Sequence, residues 1–266
     1  MSRRNKNRPR PDEVASTPLA GGSGAERRFD RVAPRLSGEE RARLTAEIEA
    51  FADKLTPERV RRLREVVDVR MKGLCVVLEC IYDAGNRSAV YRTAEGHGLV
   101  DVHVVRPDYA TKPHARQVSK GAEKWLHRHE WDGATPCVHA LRASGFQILA
   151  ADLESARPLQ AIDFSRPTAL VFGNEKYGIT QEMRDACDGG FLIPMRGFAQ
   201  SFNISVAAAI SVAHARVARE RAIGARTDLD TDESLQLLAE FVSKSPKWLG
   251  RVPEDQIGRV APPERG

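Results

Sequence analysis

The chain has 266 residues, of which 41% are apolar and 29% charged, and its formal net charge is +5. This length allows one large domain or two small ones, each with a self-sufficient hydrophobic core. No apolar run reaches the ~18 residues of a membrane span and no apolar stretch follows the basic start, so we expect neither an integral membrane protein nor a secretory signal.

The excess of positive charge lies in the first ten residues, which hold five Arg or Lys and no acid. Residues 1–36 combine Arg, Pro, Gly and Ser with almost no large apolar side chains. Burial therefore cannot offset the entropy cost of ordering them, and we predict a disordered basic tail over 1–36.

Two helices are predicted after this tail. Ser37 is a suitable N-cap, and apolar residues recur at helical spacing over 44–55. Thr56 and Pro57 then form the N-cap and the first residue of a second helix. The two helices define a helical extension over 37–72.

Basic residues cluster at 59–72 and again at 106–128, whereas 228–240 is acidic. Each basic cluster fits either a solvated helix face or an RNA-binding surface, and both interpretations stay open. On the second interpretation, the helical extension binds RNA phosphates. The candidate RNA-binding residues are Arg59, Arg61, Arg62, Lys120 and Lys124.

Short apolar strands alternate with helices from Leu74 onwards. The predicted strands are LCVVLECI, VDVHVV, FQILAADL, TALVFGN and FLIPM. The predicted helices span 88–96, 138–144, 180–187 and 201–222. This alternation predicts an α/β domain over 73–224, in which a mostly parallel sheet is covered by helices on both faces. A capping box at Asp230 and Glu233 predicts one more helix within 225–266, followed by a loose tail.

Other chemistry finds little support in the sequence. The glycines do not form a dinucleotide-binding loop, and Ile179 stands where a P-loop needs lysine. We predict no metal site, because the four cysteines are scattered and His127 and His129 are better interpreted as surface or RNA-facing residues. Scattered cysteines also favour reduced thiols, so we expect a cytoplasmic protein.

Three segments place polar residues near predicted strand ends, where open α/β sheets bind ligands. They span 84–98, 170–180 and 192–210. Each segment alone is also explained by ordinary helix capping, a solvated arginine or a plain loop. The three become informative only when their order and spacing are considered together.

Together the three segments resemble the motifs of the SPOUT class of S-adenosylmethionine-dependent RNA methyltransferases, and within it the TrmH family of ribose 2'-O-methyltransferases. The first motif is matched by Asn86-x-Ser-Ala-x-x-Arg92-x-Ala94, and the second by Gly173-Asn-Glu175-x-x-Gly178. The third is matched by Ile193-Pro-Met195 with Ser201-Phe-Asn203-x-Ser205. The similarity covers about 56–224, and Phe202 stands where leucine is usual.

The resemblance implies a deep C-terminal trefoil knot, a homodimer and S-adenosylmethionine as the cofactor. It implies that the cofactor lies bent within the knot against loops at strand ends. The cofactor-binding residues implied are Ala151, Gly173, Asn174, Glu175, Gly178, Ile193, Met195 and Phe202.

The resemblance also implies a set of substrate-side residues. The catalytic residues implied are Arg92, Asn86, Glu175, Ser201 and Asn203, with Arg92 contributed across the dimer. An arginine hardly deprotonates in proteins. We therefore expect Arg92 to hold a phosphate and stabilise a developing alkoxide, while Glu175 and Asn203 orient the substrate.

The substrate is inferred from the flanking segments. A basic helical extension and an extra C-terminal helix look most like the tRNA enzyme that methylates guanosine 18 in the D-loop. The alternatives are an rRNA 2'-O-methyltransferase of the same family and an inactive RNA-binding module. A pure RNA-binding module has no reason to keep the complete polar set of the three motifs.

Overall fold

The computed structural model describes residues 35–106, 121–152 and 156–245. Over these ranges the chain forms two compact units. The sheet unit comprises 70–228, and the helical unit comprises 35–69 together with 229–245. No helix in these ranges is long and apolar enough to cross a membrane.

The sheet unit contains seven strands within the described ranges. They are β1 (Leu74–Glu79), β2 (Asp101–Arg106), β3 (His127–Asp132), β4 (Gln147–Ala151), β5 (Ala156–Pro158), β6 (Thr168–Phe172) and β7 (Gly189–Leu192). Their order across the sheet is β3-β2-β1-β6-β4-β7-β5, and each of these neighbouring pairs is parallel. The predicted α/β class and parallel sheet are confirmed. Each of the five predicted strands overlaps an observed one, but β7 begins at Gly189 and ends at Leu192, so three residues of the predicted FLIPM strand lie in the following loop.

The helices follow the predicted alternation with shifted ends. They are α1 (Gly38–Ala52), α2 (Pro57–Val67), α3 (Ala84–Gly96), α4 (Ala134–Ala143), α5 (Gln181–Ala186), α6 (Ile204–Ile223) and α7 (Thr231–Lys244). Helix α3 begins four residues before the predicted position, because Asp83 is its N-cap and accepts a hydrogen bond from the Asn86 amide at 2.8 Å. Helix α6 begins after Asn203 rather than at Ser201, because the Asn203 side chain caps it.

Alternate residues of β1 face two separate cores, as a parallel sheet covered on both faces requires. Val76 packs in one core with Val90 of α3 and Ala208 of α6. Val77 packs in the other core, to which α4 and α5 also contribute. Because helices cover both faces of the sheet, a ligand site is expected at the edge where the strands end.

The prediction missed the short strand β5 and also strand β3, whose sequence HRHEWD alternates half-buried and exposed positions at the β2 side of the sheet. Its histidines are not simply RNA-facing, because the His129 Nε2 atom lies 2.8 Å from Asp101 Oδ1 and its ring stacks on His103 at 4.7 Å. Trp131 Nε1 donates to His103 Nδ1 at 3.1 Å. Burial, together with the neighbouring His129, lowers the pKa of His103 to about 3, so this ring is neutral at physiological pH.

The helical unit combines α1, α2 and α7. The predicted capping box of Asp230 with Glu233 forms on α7, and the predicted N-cap Ser37 forms a capping box with Glu40 on α1. An ion pair joins Arg41 of α1 to Asp232 of α7 at 2.6 Å. The segments before and after the sheet in the sequence therefore belong to the same structural unit.

The two ends of the sheet unit meet at Asp228. Its carboxylate accepts hydrogen bonds from the backbone amides of Lys72 at 2.7 Å and Gly73 at 2.9 Å. The Arg219 guanidinium donates to the same carboxylate at 2.6 Å. Thr227 Oγ1 adds a hydrogen bond to the Arg70 carbonyl oxygen at 2.6 Å, so the beginning of β1 is tied to the segment that follows α6.

Candidate active site

Three of the predicted catalytic side chains form a hydrogen-bonded network at the carboxyl edge of the sheet. Asn86 Nδ2 donates to Glu175 Oε1 at 2.6 Å, and Asn203 Nδ2 donates to Asn86 Oδ1 at 3.3 Å. Asn86 lies in the first turn of the helix after β1, Glu175 follows β6, and Asn203 follows β7. Three motifs that are distant in sequence thus meet at one solvent-accessible place.

The loop that carries Glu175 is held rigidly by its neighbour Asn174. The Asn174 side chain is buried, and its Oδ1 atom accepts from the backbone amides of Lys176 at 2.8 Å and Tyr177 at 3.1 Å. The backbones of Asn174 and Gly178 exchange two hydrogen bonds of 2.8 Å each. The turn therefore presents the exposed Glu175 carboxylate from a fixed backbone.

The end of β1 anchors this loop through residues that sequence reasoning missed. The carbonyl oxygen of Cys80, a residue with a left-handed φ of 54°, accepts from Asn174 Nδ2 at 3.0 Å. The buried Glu79 carboxylate accepts from the Thr180 hydroxyl at 2.6 Å and the Thr180 amide at 3.0 Å. Burial raises the pKa of Glu79 by more than these hydrogen bonds lower it. The only sequence signal was a carboxylate at the end of a continuous apolar strand.

Arg92 and Ser201 are placed differently from the network. Arg92 is exposed on α3 and lies six residues after Asn86, which places it about 120° around the helix from Asn86. Ser201 is exposed in the loop two residues before Asn203. Within one chain, hydrogen bonds thus join Asn86, Glu175 and Asn203, whereas Arg92 projects from another face of α3.

The predicted cofactor residues follow three adjacent strands, β6, β4 and β7. Ala151 ends β4 and is half-buried, as are Ile193 and Met195 in the loop after β7, whereas Phe202 is exposed. Glu175 is the only charged member of the predicted set. Accessible apolar side chains beside backbone polar groups suit a nucleoside, and a carboxylate suits a positively charged sulfonium.

The predicted RNA-binding residues lie on two elements. On α2, Arg59 is half-buried, while Arg61 and Arg62 are exposed and lie 3.8 Å and 3.4 Å from Glu65 carboxylate oxygens. Lys124 has its Nζ atom 4.1 Å from the centroid of the Trp125 ring. Lys120 lies outside the described residues.

The fold and the motifs define a family of RNA-modifying enzymes. The model of the SpoU rRNA methylase family matches residues 73–213, and the chain belongs to this family. The tRNA (guanosine(18)-2'-O)-methyltransferase of Thermus thermophilus is 35% identical over 71% of this chain and 98% of its own length. The Escherichia coli protein of the same name is 35% identical over 63% of this chain and 73% of its own length.

Solved structures agree with this membership. The Aquifex aeolicus TrmH/SpoU tRNA modifying enzyme superposes with a TM-score of 0.62 and 29% identity, over 70% of this chain and 96% of that chain. An AdoMet-bound rRNA methyltransferase from Sinorhizobium meliloti gives a TM-score of 0.51 and 26% identity, over 58% and 59% of the two chains. The family resemblance drawn from the three motifs is confirmed.

Proposed function

We propose that the protein transfers a methyl group from S-adenosylmethionine to the ribose 2'-hydroxyl of guanosine 18 in the D-loop of tRNA. The observation that carries this proposal is the network of Asn86, Glu175 and Asn203, which three separate motifs assemble at the sheet edge. The named tRNA methyltransferase relatives, one of which is covered over 98% of its length, supply the substrate class.

S-adenosylmethionine supplies, when bound, a methyl group activated by its sulfonium. The proposed contacts are Gly173, Asn174, Glu175, Gly178, Ile193 and Met195, with Ala151 and Phe202. The AdoMet-bound Sinorhizobium relative supports this cofactor. Their accessible apolar side chains and backbone polar groups fit an adenosine. The Glu175 carboxylate complements the positive charge of the sulfonium.

The residues of this chain act mainly by positioning, because methyl transfer to a hydroxyl is an in-line displacement that needs alignment and water exclusion. Asn86, fixed by bonds on both sides of its amide, orients the ribose together with Glu175 and Asn203. Ser201, in the loop before Asn203, contributes a further hydroxyl to the substrate. Arg92 holds the adjacent phosphate and stabilises the developing alkoxide.

The proposed homodimer completes the site. Val206, Ile210 and Val217 are exposed on α6, and their spacing places them within about 40° of one another around the helix. Such an apolar stripe suits contact with a second copy. Arg92 then reaches the network of the partner, which explains why it points away from Asn86 in its own chain.

The proposed C-terminal trefoil knot agrees with the strand order. Strand β6 lies between β1 and β4, and β7 lies between β4 and β5, although each comes later in the chain than both of its neighbours. The chain must therefore return twice into the sheet to insert a strand. The knot would hold the loops after β6 and β7 against each other and so shape the cofactor site.

The proposed division of labour follows the sequence. The basic tail over 1–36 and the helical extension over 37–72 bind tRNA, through Arg59, Arg61 and Arg62 among others. The segment 73–224 carries the methyl transfer, and 225–266 supplies the C-terminal helix and tail. The proposed location is the cytoplasm, where tRNA is available.

A second candidate is methylation of rRNA, which the family description and the Sinorhizobium structure favour. Purified protein incubated with radiolabelled S-adenosylmethionine and total RNA distinguishes the two when the labelled nucleotide is mapped. We expect label at guanosine 18 of tRNA, and loss of label with Asn86→Ala. Label in rRNA would favour the second candidate, and RNA binding without label would identify an inactive binding module.

A further inference from the structure

Several exposed aromatic side chains lie in the loops that carry the site. Among the described residues, the Phe, Tyr and Trp side chains that are exposed are Tyr82, Tyr177, Phe198 and Phe202. They lie in the loops that follow β1, β6 and β7. These are the three strands whose following segments supply Asn86, Glu175 and Asn203. Aromatic rings left in water around a polar cluster are what a binding site for unstacked nucleobases requires.

Tyr177 is the ring most firmly tied to the polar network. Its backbone amide donates to the buried Asn174, so the turn that holds Glu175 also fixes the base of this side chain. Lys176 Nζ lies 2.8 Å from Tyr177 Oη and 4.7 Å from the ring centroid, which orients the ring. Tyr177 nevertheless keeps 37% of its surface exposed. A fixed but solvated ring contributes little to the core and is available to a ligand.

Tyr177 and Glu175 belong to the same turn. The two Cα atoms, two residues apart, are separated by at most about 7 Å. A ribose held at Glu175 and Asn86 therefore places its own base within reach of the Tyr177 ring. A nucleotide drawn out of a folded RNA loop into this site loses its stacking neighbours, and an aromatic ring beside the ribose can replace them.

We propose that Tyr177 is the stacking platform for the base of the nucleotide whose ribose is methylated. This inference rests on the proposed function and adds a residue that positions the target. Stacking on an aromatic ring tolerates any base, because every base has a π-face. Tyr177 thus holds the target base outside the RNA stack but does not select guanine.

The test is a thermodynamic cycle in which the Tyr177 ring and the target base are removed separately and together, and RNA affinity is measured. The target nucleotide is first identified with labelled cofactor. The tRNA is then prepared in two forms, one intact and one in which this nucleotide keeps its ribose but lacks its base. Dissociation constants for both RNAs are measured by fluorescence anisotropy, with S-adenosylhomocysteine present, for the wild type, Tyr177→Phe, Tyr177→Leu and Tyr177→Ala. Thermal melts verify that the variants are folded.

We expect base removal to weaken binding by the wild type and Tyr177→Phe about 5- to 150-fold more than binding by Tyr177→Ala. Tyr177→Leu, which retains apolar bulk without a π-face, should resemble Tyr177→Ala. Affinity for S-adenosylmethionine should not change in any variant.

Equal effects of base removal on all four proteins would overturn the assignment. The same holds if Tyr177→Ala instead weakens cofactor binding, because the ring would then belong to the cofactor site. A wild type that methylates no RNA would contradict the proposed function as well. Absent coupling in an active enzyme contradicts the stacking platform alone.

Discussion

Replacing Gly173 with alanine tests whether the loop after β6 determines the position of Glu175. A Cβ atom at Gly173 would lie closer than 3.0 Å to the backbone of Gly178 and to the backbone nitrogen of Ile179. Ordinary contacts of a Cβ atom lie at 3.4–4 Å. Because the opposing atoms are backbone, no side-chain rotation relieves the overlap, and the turn must open.

Opening the turn disrupts the two 2.8 Å hydrogen bonds between Asn174 and Gly178. Each contributes about 0.5–1.5 kcal/mol, and the overpacking adds about 1–3 kcal/mol. We expect the free energy of unfolding to fall by about 2–6 kcal/mol and Tm to fall by on the order of 5–20 °C. Displacing Glu175 from Asn86 should also abolish most methyl transfer at temperatures where the variant is folded.

Calorimetric melting and transfer of labelled methyl at saturating tRNA measure both effects. Gly96→Ala is the matched control, because a Cβ atom there, at the end of α3, meets nothing within 4 Å. Its stability should equal that of the wild type or exceed it by up to about 1 kcal/mol. If Gly173→Ala matched this control in Tm and rate, the turn would not be what positions Glu175.

Four further outcomes are expected. Arg92→Ala should lose methyl transfer but keep cofactor affinity in a calorimetric titration, and substantial remaining activity would contradict its assigned role. Asn203→Ala should also be inactive. Mixed dimers of Arg92→Ala and Asn203→Ala subunits should regain activity, because one of the two sites then combines an intact network with the partner's intact Arg92. No recovery on mixing would refute the shared site. Deletion of 1–36 should weaken RNA binding and reduce the salt slope by ~0.7–0.9 per lost phosphate contact without changing the methylated nucleotide, whereas parallel salt slopes would show that the tail is dispensable. His103 stays neutral in the folded protein, whereas in the unfolded chain it binds a proton below about pH 6.5. The free energy of unfolding should therefore fall as pH drops from 6.5 towards 3, by at most about 1.4 kcal/mol per pH unit. In chemical denaturation, His103→Asn should make this free energy less dependent on pH.

The sheet was predictable wherever burial is complete on both faces. Strands β1 and β6 are buried at every position, so they appear in the sequence as continuous apolar runs. Strand β3 pairs only with β2 among the described strands and alternates half-buried with exposed residues, several of them charged. Its formation depends on partners such as Asp101, and no local pattern indicates them.

The residues of the candidate site also differ in whether the sequence indicated them. The motifs indicated Asn86, Glu175 and Asn203, because polar residues after strands are visible in the sequence. The supports of the site were not visible. Glu79 and Cys80 act through hydrogen bonds to residues about a hundred positions away, and only the pairing of β1 with β6 brings them together. Their roles as structural anchors follow from tertiary structure alone.

The closure of the sheet unit at Asp228 bears on how such an enzyme acquires new substrates. Because this carboxylate fastens the amides of Lys72 and Gly73 beside the segment after α6, the chain enters and leaves the unit at neighbouring points. A unit with adjacent ends tolerates exchange of what is attached to them, since its interior is not disturbed. Exchange of the attached helical segments, which are proposed to bind RNA, would therefore leave the loops that carry Asn86, Glu175 and Asn203 undisturbed.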